Sequence, residues 1–302
     1  MNTVRTAAEL RATLAPARRA ERSVGLVPTM GALHDGHLSL LRRARAESEV
    51  VVMSLFVNPT QFNDARDLAV YPRDEQRDAE LARELGVDIL FAPAAGDMYP
   101  AGFATTVTVA GLTDALEGRE RGRVHFDGVA TVVTKLLIIV SPTLAYFGQK
   151  DAQQAAVIRR LASDLDLPVE IRICPIVRAA DGLALSSRNV LLSPADRRRA
   201  TALHRALTAV RDAALTGERD PESALEAGHA ELTAAGIEAE YLALVDAATM
   251  DPAERVQGDL LALVAARVGA TRLIDNEPIR VPEAAVNADH EVATLGLRAP
   301  TT

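Results

Sequence analysis

Residues 23–57, SVGLVPTMGALHDGHLSLLRRARAESEVVVMSLFV, hold two short apolar strands on either side of a glycine-bearing turn and a helix. Residues 23–29 (SVGLVPT) read as a strand, and a helix follows from about Gly36 to Glu47. Residues 50–57 (VVVMSLFV) are the most apolar run in the chain, continuous enough for a strand buried on both faces. That run is far short of the ~20 residues that cross a bilayer. Outward from this unit the alternation continues. A helix over residues 72–85 stops at Gly86 and leads into a strand over 87–92. Val129, Val132, Val133, Leu136, Leu137 and Val140 recur at helical spacing, with Lys135 on the polar side of that pattern. A strand at 145–148, a helix over 151–163 and a strand over 169–175 follow. Strands alternating with helices imply right-handed crossovers and a mainly parallel sheet, so an α/β class is expected. In such sheets ligands bind beyond the carboxyl ends of the strands.

After about Val177 the pattern changes. Ser193 and Pro194 form an N-cap and a first-turn proline for a helix running to about Leu215. A helix over 221–235 and strands over 240–245 and 260–266 complete a smaller α+β domain. The expected division is therefore 1–176, 177–281 and a loosely ordered tail, 282–302, which is polar, alanine-rich and aperiodic.

The chain has 302 residues, 48% hydrophobic and 25% charged, which excludes disorder as its dominant state. Its net charge of −8 argues against a broad nucleic-acid surface. One cysteine, Cys174, excludes an internal disulfide and any multi-cysteine zinc site. The first residues lack the apolar core of a signal peptide, so a cytoplasmic protein with no membrane partner is expected. Of 33 basic residues only Lys135 and Lys150 are lysines. Where a chain favours arginine so strongly, a retained lysine suggests a need for its compact ammonium group.

Four segments carry chemistry. In residues 27–40 (VPTMGALHDGHLSL), His34-Asp35-Gly36-His37 lies between a strand and a helix, where backbone N–H groups favour a phosphate. His37 can donate to phosphate oxygens there; the alternative is a surface turn with two incidental histidines. In residues 145–154 (AYFGQKDAQQ), Lys150 opens a helix, an unfavourable place for a cation unless an anion is bound nearby. Residues 181–189 (DGLALSSRN) offer two hydroxyls and a guanidinium in a hinge region, a plausible phosphate clamp and also ordinary loop composition. Residues 58–62 (NPTQF) follow the buried strand, so Gln61 falls at its carboxyl end, although Asn-Pro by itself signals only a turn.

Together, VPTMGALHDGH, SLFVNPTQF, YPRD, AYFGQKDAQQ and DGLALSSRN, in this order and spacing, closely resemble the pantothenate synthetase (pantoate–β-alanine ligase) family over about residues 1–280. The one departure is Leu185, where methionine is expected. The resemblance implies an ATP-dependent ligase of the nucleotidyltransferase superfamily, usually a homodimer. Its N-terminal domain would be Rossmann-like, with a smaller C-terminal domain covering the site. It assigns ATP to Met30, Gly31, Ala32, Leu33, His34, Asp35, Gly36 and His37, with His37 as the acid. It adds Gly148, Gln149, Lys150, Asp151, Val177, Leu185, Ser186, Ser187 and Arg188. Gln61 and Gln154 would hold pantoate, with Gln61 also near β-alanine. The catalytic donors would be His34, His37, Lys150, Ser187 and Arg188, with Mg²⁺ neutralising phosphate charge. The implied chemistry is attack of the pantoate carboxylate on ATP to give pantoyl adenylate and pyrophosphate. The amine of β-alanine then displaces AMP.

No carboxylate cluster marks a protein metal site, and Asp78 alone is too weak a candidate for one. Two other readings compete. A cytidylyltransferase or an aminoacyl-tRNA synthetase also uses a His-x-Gly-His turn, but NPTQF and FGQKDAQQ count against the first. The acidic charge and the lack of a tRNA-binding appendage count against the second. A catalytically silent nucleotide-binding module is disfavoured because each motif position expected to do chemistry holds a competent residue.

Overall fold

A computed structural model describes residues 1–282, so the expectation for the tail falls outside the described residues apart from Pro282. The chain opens with β1 (Asn2–Val4) and α1 (Ala7–Arg19), a helix closed by reciprocal bonds between Thr6 and Glu9. The unit expected over residues 23–57 follows as β2 (Val24–Thr29), α2 (Asp35–Glu47) and β3 (Val50–Leu55). Beyond β3 come a 3₁₀ turn (Pro59–Gln61), α3 (Ala65–Val70), α4 (Glu75–Glu84), β4 (Ile89–Phe91) and α5 (Ala95–Met98). The helix expected from residue 72 starts later because the Asp74 carboxylate caps it, accepting from the Arg77 amide at 3.0 Å. Next are α6 (Glu117–Val140), interrupted at Gly122, then β5 (Leu144–Gly148), α7 (Ala152–Asp164) and β6 (Glu170–Cys174).

All six strands are parallel, in the order β1-β4-β3-β2-β5-β6. Side-chain alternation along them builds two apolar layers. Val24, Leu26, Val50, Val52, Ile89, Phe91, Ala145 and Phe147 face α1, α6 and α7. Val27, Val51, Met53, Leu90, Leu144 and Tyr146 face α2 and α4. A sheet covered on both faces explains why its strands read as continuous apolar runs. The expected α/β class is borne out.

The C-terminal region contains α8 (Pro194–Ala200), α9 (Ala202–Leu215) and α10 (Pro221–Ala234). These are followed by an antiparallel sheet of β7 (Ala239–Asp246), β8 (Gly258–Val268) and β9 (Thr271–Val281) in that order. The single helix expected over 193–215 is thus two, meeting at Thr201, whose hydroxyl bonds the Arg198 carbonyl at 2.8 Å. Helices and sheet share a core of their own, with Leu203, Leu207, Val210, Leu232, Val264 and Leu273 among its members. β1, α1 and β9 lie outside the sequence expectations. β9 was hidden by Arg272, Asp275, Asn276, Glu277 and Pro278: its edge position tolerates the proline, and ion pairs or hydrogen bonds satisfy the polar side chains. Lys135 also departs from expectation. α6 is buried on nearly every side from Phe126 onward, and the Lys135 ammonium lies over the Phe103 and Tyr99 rings, 4.7 and 5.9 Å from their centroids. Among the described residues no helix is long and apolar enough to cross a membrane.

Candidate active site

β2 pairs with β3 on one side and β5 on the other, so the order of the sheet reverses at β2. Loops leaving adjacent strands in opposite directions open a crevice at such a point. The turns after β2 and β5 meet here, on a cleft of about 1070 Å³. The cleft is lined by Met30, His34, Gly36, His37, Gln61, Gly148, Gln149, Lys150, Asp151, Gln154, Val177 and residues 185–188.

The turn after β2 is shaped from behind. Gly31 and Ala32 have φ of 88° and 52°, which aims the Ala32 and Leu33 amides at the fully buried Asp78 carboxylate of α4, each at 2.9 Å. Both Asp78 oxygens are therefore engaged by backbone amides, which clamps the turn. Four residues expected to touch ATP do not line the cleft. Leu33 is drawn into the core and Ala32 turns with it. Asp35 is exposed in the first turn of α2. Gly31 faces a neighbouring cavity of about 350 Å³.

The two histidines cap α2 with their own rings. His34 Nδ1 accepts from the Gly36 amide at 3.1 Å, and His37 Nδ1 accepts from the His34 amide at 3.4 Å. An imidazole that accepts at Nδ1 carries its proton on Nε2. Burial pushes the His37 pKa down to about 4, and His34, 4.1 Å away between ring centroids, adds to the effect. Burial and then Lys150 lower His34 as well. Near neutral pH both rings are uncharged Nε2–H donors. With its pKa at about 4, the His37 ring is neutral near pH 7 and leaves Nε2–H free to donate.

Across the cleft, the 3₁₀ turn carries Gln61. Asn58, only 1% exposed, orders it: Asn58 Nδ2 donates to Gln61 Oε1 at 3.0 Å and to the Gly128 carbonyl at 3.1 Å. Tyr99 OH donates to Asn58 Oδ1 at 2.8 Å, and the His125 ring contacts the Gln61 carbonyl at 2.8 Å. With its oxygen committed, Gln61 presents its NH₂ beside Met30 Sδ at 3.2 Å. Gln154 projects from the first turn of α7 on the opposite wall. Val129, Val132, Val133 and Leu136 of α6 supply an apolar wall between them.

Lys150 makes no ion pair among the described residues. Val177 and Leu185 are neighbours because the Leu185 amide bonds the Val177 carbonyl at 2.9 Å, closing a loop that leads into Ser186, Ser187 and Arg188. Desolvation, then Arg121, lowers the Arg188 pKa, as expected of a cation sharing a cleft with other cations. The desolvating walls oppose ionisation of Asp151, but Lys150, Arg121 and Arg188 outweigh them and its pKa is lowered. At the cleft rim Glu117 accepts from Arg272 at 2.6 and 3.0 Å, from Arg121 at 2.7 Å and from Tyr241 at 2.9 Å. Burial disfavours the Glu117 charge, but the arginines prevail and hold it at about 2.

Residues 2–278 match the family model for pantoate–β-alanine ligase. The chain belongs to the pantoate–β-alanine ligase family. A pantothenate synthetase from Moorella thermoacetica is 53% identical over 93% of this chain and 99% of the relative. The crystal structure of a pantothenate synthetase from Thermus thermophilus superposes with a TM-score of 0.85 at 50% identity, covering 92% of this chain and 99% of that one. A pantoate–β-alanine ligase from Francisella tularensis, solved in complex with β-γ ATP and β-alanine, gives a TM-score of 0.74 at 34% identity. It covers 92% of this chain and 97% of that one.

Sequence reasoning missed Asn58, Asp78, Glu117, Arg121, His125, Arg272 and Asn276 as parts of this site. Asn58 reads in the sequence as an Asn-Pro turn, with nothing to say that its amide would order Gln61. Arg272 and Asn276 reach the cleft from β9, more than a hundred residues beyond the turns they meet, and no local pattern could have announced them.

Proposed function

We propose that this member of a ligase family condenses pantoate with β-alanine, driven by ATP, through a pantoyl-adenylate intermediate. The observation that carries this reading is the meeting, at one sheet reversal, of two neutral histidine donors and Lys150, opposite the NH₂ of Gln61. The first group suits the oxygens of a triphosphate, and the second suits a small hydroxy acid without adding a competing charge.

A pantoate carboxylate oxygen attacks the α-phosphorus, and the bond from that phosphorus to the bridging oxygen breaks, releasing pyrophosphate. The β-alanine nitrogen then attacks the acyl carbon, AMP leaves, and the nitrogen loses a proton. The Nε2–H groups of His34 and His37, the Lys150 ammonium, and Ser187 and Arg188 bind and stabilise the phosphates. Gln61 and Gln154 orient pantoate. Little covalent work falls to the protein, so positioning and charge stabilisation carry the rate.

The residues suit a Mg²⁺ ion borne on phosphate rather than caged by protein. Among the described residues no group of three His, Cys, Asp or Glu could hold a metal. Of the carboxylates lining the cleft, Glu117 and Asp275 are committed to arginines, whereas Glu120 and Asp151 are exposed. Such an ion would neutralise phosphate charge and would need few protein ligands. A split at residues 176 and 177 into a nucleotide- and pantoate-binding domain and a smaller covering domain is supported by the separate cores. Homodimerisation and a cytoplasmic location rest on the resemblance; light scattering tests the first.

The decisive experiment is exchange of labelled pyrophosphate into ATP with pantoate present and β-alanine omitted. Exchange that needs pantoate is expected; no exchange, with full turnover once β-alanine is added, would rule out a free-standing adenylation step.

A further inference from the structure

Lys150 stands on a segment with little regular structure of its own. Between the end of β5 and the start of α7, the Gln149 amide reaches the Cys174 carbonyl at 2.8 Å, while the Gln149 and Lys150 carbonyls meet the C-terminal region. Both carbonyls are taken by one side chain from the C-terminal sheet. Asn276 Nδ2 donates to the Gln149 carbonyl and to the Lys150 carbonyl, each at 3.0 Å. Asn276 Oδ1 accepts from Gln149 Nε2, also at 3.0 Å. The Asn276 side chain is 1% exposed, and both its donor hydrogens are used within the protein. It therefore has no N–H left for a ligand.

The neighbouring residue does the same for the other phosphate-facing segment. Asp275, 3% exposed, pairs with Arg178 at 2.6 Å, and Arg178 also donates to the Gly182 carbonyl at 3.2 Å. Arg178 NH2 reaches the Asn276 carbonyl at 3.2 Å, tying the loop that delivers residues 185–188 to the same point of β9. Two consecutive residues of one strand thus hold both segments that face the cleft from that side.

We infer that Asn276 is a positioning residue for Lys150: by holding the two carbonyls that flank the Lys150 amide and α-carbon, it sets the direction in which the ammonium enters the cleft. The C-terminal sheet then forms part of the adenylation site rather than only a cover over it. This inference rests on the reading that Lys150 engages the phosphates of ATP. Asn276 acts through Lys150 and touches no reacting atom.

The test is a cycle of Asn276→Ala, Lys150→Ala and the double variant, followed by pantoate-dependent pyrophosphate exchange and by melting temperature. A misplaced catalytic group costs up to about 10²-fold in rate. Asn276→Ala is expected to lower kcat for exchange by about that much while leaving the KM for pantoate within about twofold. In the Lys150→Ala background the same change is expected to cost almost nothing, because the group it positions is gone. A role in stability alone would instead lower the melting temperature and leave turnover per folded molecule intact in both backgrounds. That outcome overturns the inference, as does an equal loss of rate in the two backgrounds. If Lys150→Ala itself exchanges normally, the reading of the site fails and the inference fails with it. If Asn276→Ala does not fold, the isosteric Asn276→Asp carries the test: it keeps the acceptor for Gln149 but sets a carboxylate oxygen against two carbonyls, so the same loss of kcat is expected. Failure of both variants to fold would mark Asn276 as a core residue and overturn the proposal.

Discussion

Which nitrogen carries the proton decides the role of His37. Its Nδ1 is engaged in capping α2, so Nε2–H remains for a phosphate oxygen. Removing a donor of this kind typically costs about 10²–10³ in rate, and His37→Ala is expected to lose that much kcat while remaining folded. The same burial makes a pH prediction. The folded His37 titrates at about 4, whereas the unfolded side chain titrates near 6.5, so the unfolded chain takes up the proton first. Stability is therefore full above about pH 6.5 and declines as the pH falls from there to about 4. Urea midpoints at about pH 7 and about pH 5 should fall for the wild type and fall less for His37→Ala. Equal declines in the two proteins would remove His37 from the account.

The lysines separate by environment. Lys150→Arg is expected to fold normally and lose most pyrophosphate exchange, because a planar guanidinium cannot occupy the point an ammonium does. Lys135→Arg should keep exchange and stay within about 0.5 kcal/mol in stability, since a guanidinium also stacks on the Phe103 and Tyr99 rings. Normal exchange by Lys150→Arg would show that charge alone suffices at that position.

At the scale of elements, the seat of α6 against the 3₁₀ turn places Gln61. A β-carbon on Gly128 would lie 2.6 Å from the Thr60 carbonyl oxygen and 2.8 Å from the Gln61 amide nitrogen, too close for either to remain in place. Gly128→Ala is expected to destabilise the fold by about 1–3 kcal/mol and to raise the KM for pantoate, read by calorimetry and by exchange kinetics. An unchanged KM would mean that the turn and Gln61 adjust independently of the helix. The helix itself was legible: its six predicted apolar positions are all buried. Its lack of a polar side was not, because residues such as Ala130, Thr131 and Thr134 go in or out according to what packs on them. α1 carried the Thr6-x-x-Glu9 sign of a helix start and could have been read. β9 could not, because charged residues on an edge strand look like loop.

For the whole molecule, Glu117 joins the two regions through Arg272 and Tyr241. Removing one partner of a buried ion pair typically costs about 3–5 kcal/mol, because the other charge is left unpaired. Glu117→Gln is expected to lower the melting temperature and to separate calorimetric unfolding into two transitions. Because the folded carboxyl titrates at about 2, below the ordinary 4.5, its contribution is complete above about pH 4.5 and is lost as the pH falls toward 2. The variant should lack that part of the acid limb. A single transition with an unchanged acid limb would show that the two regions are held together by other contacts, such as the apolar cluster of Ala152, Val245, Met250, Leu261 and Leu263.

What the amino-acid order determined by itself is local in origin. Apolar runs marked β2, β3 and β5, helical spacing marked α6, and the His34–His37 and Lys150 segments lay at strand ends, where a parallel sheet opens toward ligands. These follow from backbone periodicity and from residue chemistry within about ten positions. What only the tertiary structure decided is how distant groups share polar atoms. Asp78 turns Leu33 inward, Asn58 engages the Gln61 oxygen, and Asn276 takes the carbonyls on either side of Lys150. A buried polar atom must find a partner, yet nothing in its own neighbourhood says which one. The fold selects that partner only when separate segments arrive at the same place.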